Sequence, residues 1–300
     1  MRSTWGDGAR LLAAAALVSI LVCGCAPTHP TATTGVQVVA AENFWGSIAQ
    51  QLGGDRVEVT SVISDPNTDP HLYESSAANA AAVAAAKIVI VNGLGYDDFM
   101  DRLVAGSDAH PDIISAQKVL GVVGTDANPH LWYDIPRVSL VAKAIEQALV
   151  RADPAGAGAY AANLAAFDRS LDPLLSVIAR IKIRYLGAPI AYTERVPGYL
   201  VSATGLTVVS PPGFALAIEN GTDPSPSDAR AMDAVVTTKR ARVLLYNTQA
   251  MSAVTRRILD EARASGVPVV GVSETMPLRF KSYQAWQLDQ ATQILRALGG

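Results

Sequence analysis

The segment YAANLAAFDRSLDPLLSVIARIKIR, Tyr160–Arg184, stands past the middle of the chain and reads as one long amphipathic helix. Leu164, Phe167, Leu171, Leu175 and Ile178 recur every three or four residues, the spacing that lines one helical face, while Asn163, Asp168 and Arg180 mark a polar side. Pro173 lies inside it; with no N–H and a ring that clashes with the preceding turn, it is expected to kink or interrupt the helix. Short apolar runs alternate with helical patterns on both sides. Before the helix, Val36–Ala41, Val57–Ile63, Lys87–Asn92 (KIVIVN) and Asp112–Ser115 read as strands, with helices over about Phe44–Leu52, Ala77–Ala86 and Pro136–Leu149. After it, Ala188–Glu194, Thr207–Ser210, Val243–Tyr246 and Val267–Ser273 read as strands, with helices over about Ser227–Thr238, Met251–Ala264 and Tyr283–Leu298. Such alternation predicts parallel sheets covered by helices. The expected fold class is α/β: two lobes, each a mostly parallel sheet covered by helices, joined by a long backbone helix. The corresponding boundaries are an N-terminal lobe over 36–155, a linking helix over 156–185 and a C-terminal lobe over 186–300.

The 300 residues are half apolar with a formal net charge of −3 and no basic stripe, which argues against nucleic acid as a partner. Arg2 and Arg10 precede a continuously apolar or small run, Leu11–Val22. That run is shorter than the roughly 20 residues of a membrane-spanning helix and fits the core of an export signal. It ends in LVCGC, Leu21–Cys25, which resembles a bacterial lipobox. The expectation is a lipoprotein-type signal over 1–24, cleavage before Cys25, and lipid on the Cys25 thiol. Both cysteines, Cys23 and Cys25, lie here, so the processed chain has no partner for an internal disulfide. The Pro- and Thr-rich stretch to Gly35 reads as a tether over 25–35, with His29 a solvated tether residue.

Two of the four histidines share one context: DPHLYE, Asp69–Glu74, and NPHLWYD, Asn128–Asp134. Proline fixes the chain's approach, and the flanking leucine and aromatic can bury the loop while the imidazole points inward. Ligands of open α/β sheets bind beyond the carboxyl ends of the strands. His71 follows the 57–63 strand, Glu194 ends the 188–194 strand and Glu274 follows the 267–273 strand, while His130 precedes a helix. Two imidazoles and two carboxylates make a four-ligand set for a first-row divalent metal. Asp69, Glu74 and Asp134 are candidates to orient the imidazoles. Arg195 is an alternative partner that would neutralise Glu194; His110 reads as a surface residue and Asp223 as part of a turn. No HExxH motif or nucleophile elbow is present, so no catalytic residue is assigned.

The motifs AENFWGSIAQQLGGDRVEVTSVI, DPHLYE, IVIVNGLGYDDFM and NPHLWYD, in that order, resemble the metal-binding receptors of bacterial ABC importers for zinc and manganese. The resemblance runs from about Val36 to Leu298. It implies two α/β lobes joined by a rigid helix, with the metal between them. It makes His71 and His130 the first two ligands and Glu194 the third, and it places Glu274 where the family usually has Asp. The His-rich loop common in zinc members is replaced here by a short Val104–Asn128 segment containing only His110. The implied function is an extracytoplasmic lipoprotein, not an enzyme. It would be monomeric, anchored through Cys25 at the outer face of the cell membrane or periplasmic. It would bind one Zn2+ or Mn2+ and deliver it to permease subunits driven by a cytoplasmic ATPase. Glu194 at the third position resembles the manganese members, whereas zinc ranks above manganese in intrinsic affinity, so the cargo stays open. A secreted metallohydrolase, a surface adhesin with an incidental metal site, and a siderophore or corrinoid receptor are the competing readings.

Overall fold

The computed structural model describes residues 35–65 and 76–300. The expected signal at 1–24, Cys25, His29, the tether up to residue 34, and Asp69, His71 and Glu74 lie outside the described residues.

The first half begins with β1 (Val36–Glu42), α1 (Asn43–Gly53) and β2 (Val57–Ile63), then α2 (Ala77–Ala85) and β3 (Ile88–Val91). It continues through α3 (Asp98–Ala105), β4 (Asp112–Ser115), α4 (Ala116–Leu120) and α5 (Val138–Ala152). All pairings are parallel, in the order β2-β1-β3-β4. Every residue of β3 is buried, as a strand covered by helices on both faces requires. The second half repeats the arrangement with β5 (Pro189–Tyr192), α8 (Gly198–Thr204), β6 (Thr207–Val208), α9 (Pro212–Glu219) and α10 (Pro226–Thr237). β7 (Leu244–Asn247), α11 (Ala253–Ser265), β8 (Val269–Val272) and α12 (Tyr283–Ala297) complete it. Its order is β6-β5-β7-β8, again all parallel. In each sheet the chain first steps to one side of the opening strand and then to the other. The crevices beyond the carboxyl ends of β1/β3 and of β5/β7 are therefore the expected ligand positions.

Between the halves run α6 (Ala157–Ser170) and α7 (Asp172–Tyr185), interrupted only at Leu171. Pro173 sits in the first turn of α7, where its missing N–H is tolerated. Leu171 keeps helical torsions, φ −79° and ψ −17°, so the two segments follow one another with little loss of direction. The buried stripe is Phe167, Leu171, Leu174, Ile178 and Ile181. Leu175, expected on that face, is instead 37% exposed: the stripe advances by alternate steps of four and three residues and passes through Leu174.

One apolar cluster extends through both halves, from Val38 and Trp45 through Trp132 and Leu174 to Leu245 and Trp286. Phe44 of α1 stacks on Trp132 with ring centroids 4.1 Å apart. Polar contacts reinforce the seam. The Asn43 side chain donates to the Met276 carbonyl at 2.8 Å and accepts from the Met276 N–H at 2.9 Å. The Tyr133 hydroxyl donates to the Ser273 carbonyl at 2.7 Å. The loop carrying Glu274 is thus fastened to the opposite half on both sides.

Candidate metal centre

His130 follows Pro129 and begins a 3-10 turn, Leu131–Tyr133, whose side chains are all buried. The imidazole is itself 0% exposed, and Asn128 fixes its tautomer. The Asn128 amide nitrogen donates to the Arg195 carbonyl at 2.8 Å, so its oxygen is the atom facing His130. That oxygen accepts from the His130 backbone N–H at 3.0 Å and lies 2.6 Å from Nδ1. A carbonyl oxygen only accepts, so Nδ1 carries the proton, and in the neutral ring Nε2 presents its lone pair.

Nε2 faces two carboxylates from the second half. The Glu194 Oε1 atom lies 3.7 Å away and the Glu274 Oε2 atom 3.9 Å away. Glu194 stands two residues beyond β5, and Glu274 two residues beyond β8. The ligand atoms of His130, Glu194 and Glu274 lie within 4.8 Å of one another, and all three residues are buried. An imidazole lone pair and two acidic oxygens gathered out of water are mutually favourable around a cation and costly otherwise. The donor set, imidazole nitrogen plus carboxylate, suits a divalent transition-metal ion.

Arg195 does not neutralise Glu194. Its guanidinium turns away to pair with Glu219, through an Nε–Oε2 bond of 2.8 Å among others, and donates to the Asp126 carbonyl at 3.0 Å. Uncharged donors serve the two carboxylates instead. The Asn247 amide nitrogen donates to Glu194 Oε2 at 2.5 Å and to Glu274 Oε1 at 2.8 Å. The Tyr96 hydroxyl donates to Glu274 Oε2 at 3.0 Å. Burial, with the charges of Glu274, Glu42 and Glu194, raises the Tyr96 hydroxyl well above its usual range, so it stays a donor. Gln249 then holds the loop itself, its side-chain oxygen accepting from the Glu274 and Thr275 N–H groups at 2.6 and 3.0 Å.

Two further acids lie behind the site. Glu42, at the carboxyl end of β1, is fully buried, and burial followed by the charge of Asp97 holds its carboxyl well above the usual range. Asp97 accepts from the Asn92 and Gly93 N–H groups at 2.5 and 2.8 Å, yet burial still pushes it up to about 7. Asp134, expected to orient an imidazole, directs its carboxylate to Arg137, with Nε at 2.6 Å. Among the described residues it is Asn128 that meets Nδ1 of the His130 ring. His110 and Asp223 are exposed and take no part. Beside the centre, a polar cavity of about 270 Å3 is lined in part by Tyr96, Asp126, Pro129, Arg195 and Glu219.

Residues 38–297 match the profile of the family described as zinc-uptake complex component A, periplasmic. The manganese-binding lipoprotein MntA of Halalkalibacterium halodurans is 27% identical over 166 residues, covering 53% of this chain and 54% of that one. The manganese ABC transporter substrate-binding lipoprotein PsaA of Streptococcus pneumoniae is 24% identical over 173 residues, covering 53% and 56%. These alignments span about half the length of the curated relatives. The structure of the periplasmic zinc binding protein TroA from Treponema pallidum superposes with a TM-score of 0.75 at 18% identity, covering 88% of this chain and 99% of that one. The Pseudomonas aeruginosa protein FpvC in complex with Ni2+ gives 0.73 at 22% identity, covering 88% and 97%. At such identities the superpositions speak to the fold, which they share along nearly its whole described length.

Proposed function

The chain belongs to the periplasmic zinc-uptake component A family, and on that footing we propose that it is the extracytoplasmic binding component of a metal ABC importer. It captures one divalent ion, Zn2+ or Mn2+, between its lobes and hands it to permease subunits driven by a cytoplasmic ATPase. The observation that carries this reading is the convergence of His130 Nε2 with Glu194 and Glu274 in a buried place bridging the two halves. His71, from the other Pro-His-Leu motif, completes the set as a second imidazole. In that motif Asp69 holds the same position, two residues before the histidine, as Asn128 does before His130. Asp69 is accordingly the residue that orients His71. Lipid on Cys25 holds the protein at the outer face of the membrane.

The reading is of a binding protein rather than an enzyme. Two imidazoles and two carboxylates close the ion's coordination, whereas a catalytic zinc keeps a position open for water. Two carboxylates also cancel the ion's charge, so a neutral centre forms in a buried site. The manganese named for MntA and PsaA and the zinc named for TroA support a cargo of one of these two ions.

Competitive titration of the metal-free protein with Zn2+ and Mn2+, against chelators of known affinity, tests the assignment. The wild type should bind one ion per chain, and His71→Ala combined with His130→Ala should abolish tight binding. Unchanged affinity in that double variant would refute the site.

A further inference from the structure

Both carboxylates of the centre are held by the same amide. Asn247 is the last residue of β7 and is 1% exposed. Its backbone N–H donates to Thr193 Oγ1 at 3.0 Å, and its side-chain oxygen accepts from the Gln249 N–H at 3.0 Å. A backbone N–H only donates, so the amide cannot be flipped: its NH2 group faces the two acids, with one hydrogen for each. The oxygens it takes are Glu194 Oε2 and Glu274 Oε1. Those turned to His130 Nε2 are the other two, Glu194 Oε1 and Glu274 Oε2.

We propose that Asn247 is a specificity-determining residue: by holding one oxygen of Glu194 and one of Glu274, it makes each carboxylate offer the ion a single oxygen. This rests on the metal-binding reading above and addresses its open question, which ion is favoured. A carboxylate can grip an ion with one oxygen or two. With single oxygens, His130, Glu194 and Glu274 supply three ligand atoms, leaving one position to complete the four that zinc prefers. With paired oxygens the same three residues already supply five, close to the six of an octahedral oxygen-rich site such as manganese takes. Asn247 opposes the second option: the Tyr96 hydroxyl on Glu274 Oε2 can rotate aside for an arriving ion, whereas the Asn247 amide is pinned through its backbone N–H and its side-chain oxygen. Bonds from a donor to an ionised acceptor are among the strong ones, and both would have to break for the carboxylates to rotate. The neutrality of the amide matters equally. A lysine or arginine in its place would hold the same oxygens but cancel the charge that attracts the cation.

Cobalt(II) reports the difference directly, because four-coordinate Co2+ absorbs strongly in the visible and six-coordinate Co2+ only weakly. The full chain, freed of metal, is titrated with Co2+ and, separately, with Zn2+ and Mn2+ in competition, alongside Asn247→Leu, a change of similar volume without donors. The wild type should give intense cobalt bands. In Asn247→Leu the bands should weaken, and the ratio of Zn2+ to Mn2+ affinity should fall by about tenfold, or about 1.4 kcal/mol. A merely structural defect would weaken both ions together and leave the ratio unchanged, which overturns the proposal. Weak cobalt bands in the wild type overturn it too, and need no variant to fold. A wild type that takes up none of the three ions would instead refute the metal-binding reading itself.

Discussion

Replacing Asn128 by alanine should cripple metal binding from a position that never touches the metal. The side chain makes three hydrogen bonds: two accepted from His130, at its backbone N–H and Nδ1, and one donated to the Arg195 carbonyl. At a net worth of about 1 kcal/mol each, their loss should destabilise the fold by about 3 kcal/mol. Releasing Nδ1 also frees the ring to rotate and to carry its proton on Nε2, the atom that must be bare. Loss of such an orienting partner typically costs about 10–100-fold in metal affinity. Chelator competition should therefore show Asn128→Ala weakened by that factor, with denaturation curves reporting the stability loss separately. Asn128→Asp separates the two effects. It keeps an acceptor on Nδ1, so most of the affinity should return. Its second oxygen faces the Arg195 carbonyl, so the part of the stability loss that comes from that contact should remain. If Asn128→Ala stays folded and binds metal within about twofold of wild type, the tautomer argument is wrong.

Two other tests address the scaffold. Leu174→Ala, which empties a fully packed position on α7, should cost about 2–5 kcal/mol, whereas Leu175→Ala, at a 37% exposed position, should cost about 1 kcal/mol or less; equal losses in urea denaturation would misplace the buried stripe. Asp97, raised to about 7 from an unfolded value near 3.9, keeps its proton in the folded state through a window where the unfolded chain has lost it. Its contribution is therefore fullest below about pH 4 and declines as pH rises towards 7. Wild type should lose stability relative to Asp97→Asn between pH 4 and 7, and parallel pH profiles would contradict the assignment.

The alternation of apolar runs placed all eight strands seen among the described residues, because most are short apolar runs bounded by polar turns; β4 and β6, with Asp112 and Thr207 opening them, carried the weakest signal. The linking helix was equally legible, including its interruption near Pro173. Four helices were not: α3, α4, α8 and α9 have five to eight residues each, too few turns for a 3.6-residue period to show. The site divides in the same way. Glu194 and Glu274 were visible as acids at strand ends, and His130 through its repeated motif. Asn247 was hidden because a polar residue ending a strand resembles an ordinary turn. Asn128 had left a signal, since each copy of the motif carries Asp or Asn two residues before its histidine. Asp134 stood out as the acid that closes the NPHLWYD motif, but Arg137, one helical turn on, pairs with it.

The most direct measurement of the central claim is the anomalous scattering of a crystal of this protein grown with Zn2+ or Mn2+. A single strong peak should lie within bonding reach of His130 Nε2, roughly 2.0–2.2 Å for zinc, and of one oxygen from each of Glu194 and Glu274. A saturated protein with its ion elsewhere, and this cluster empty, would contradict the account.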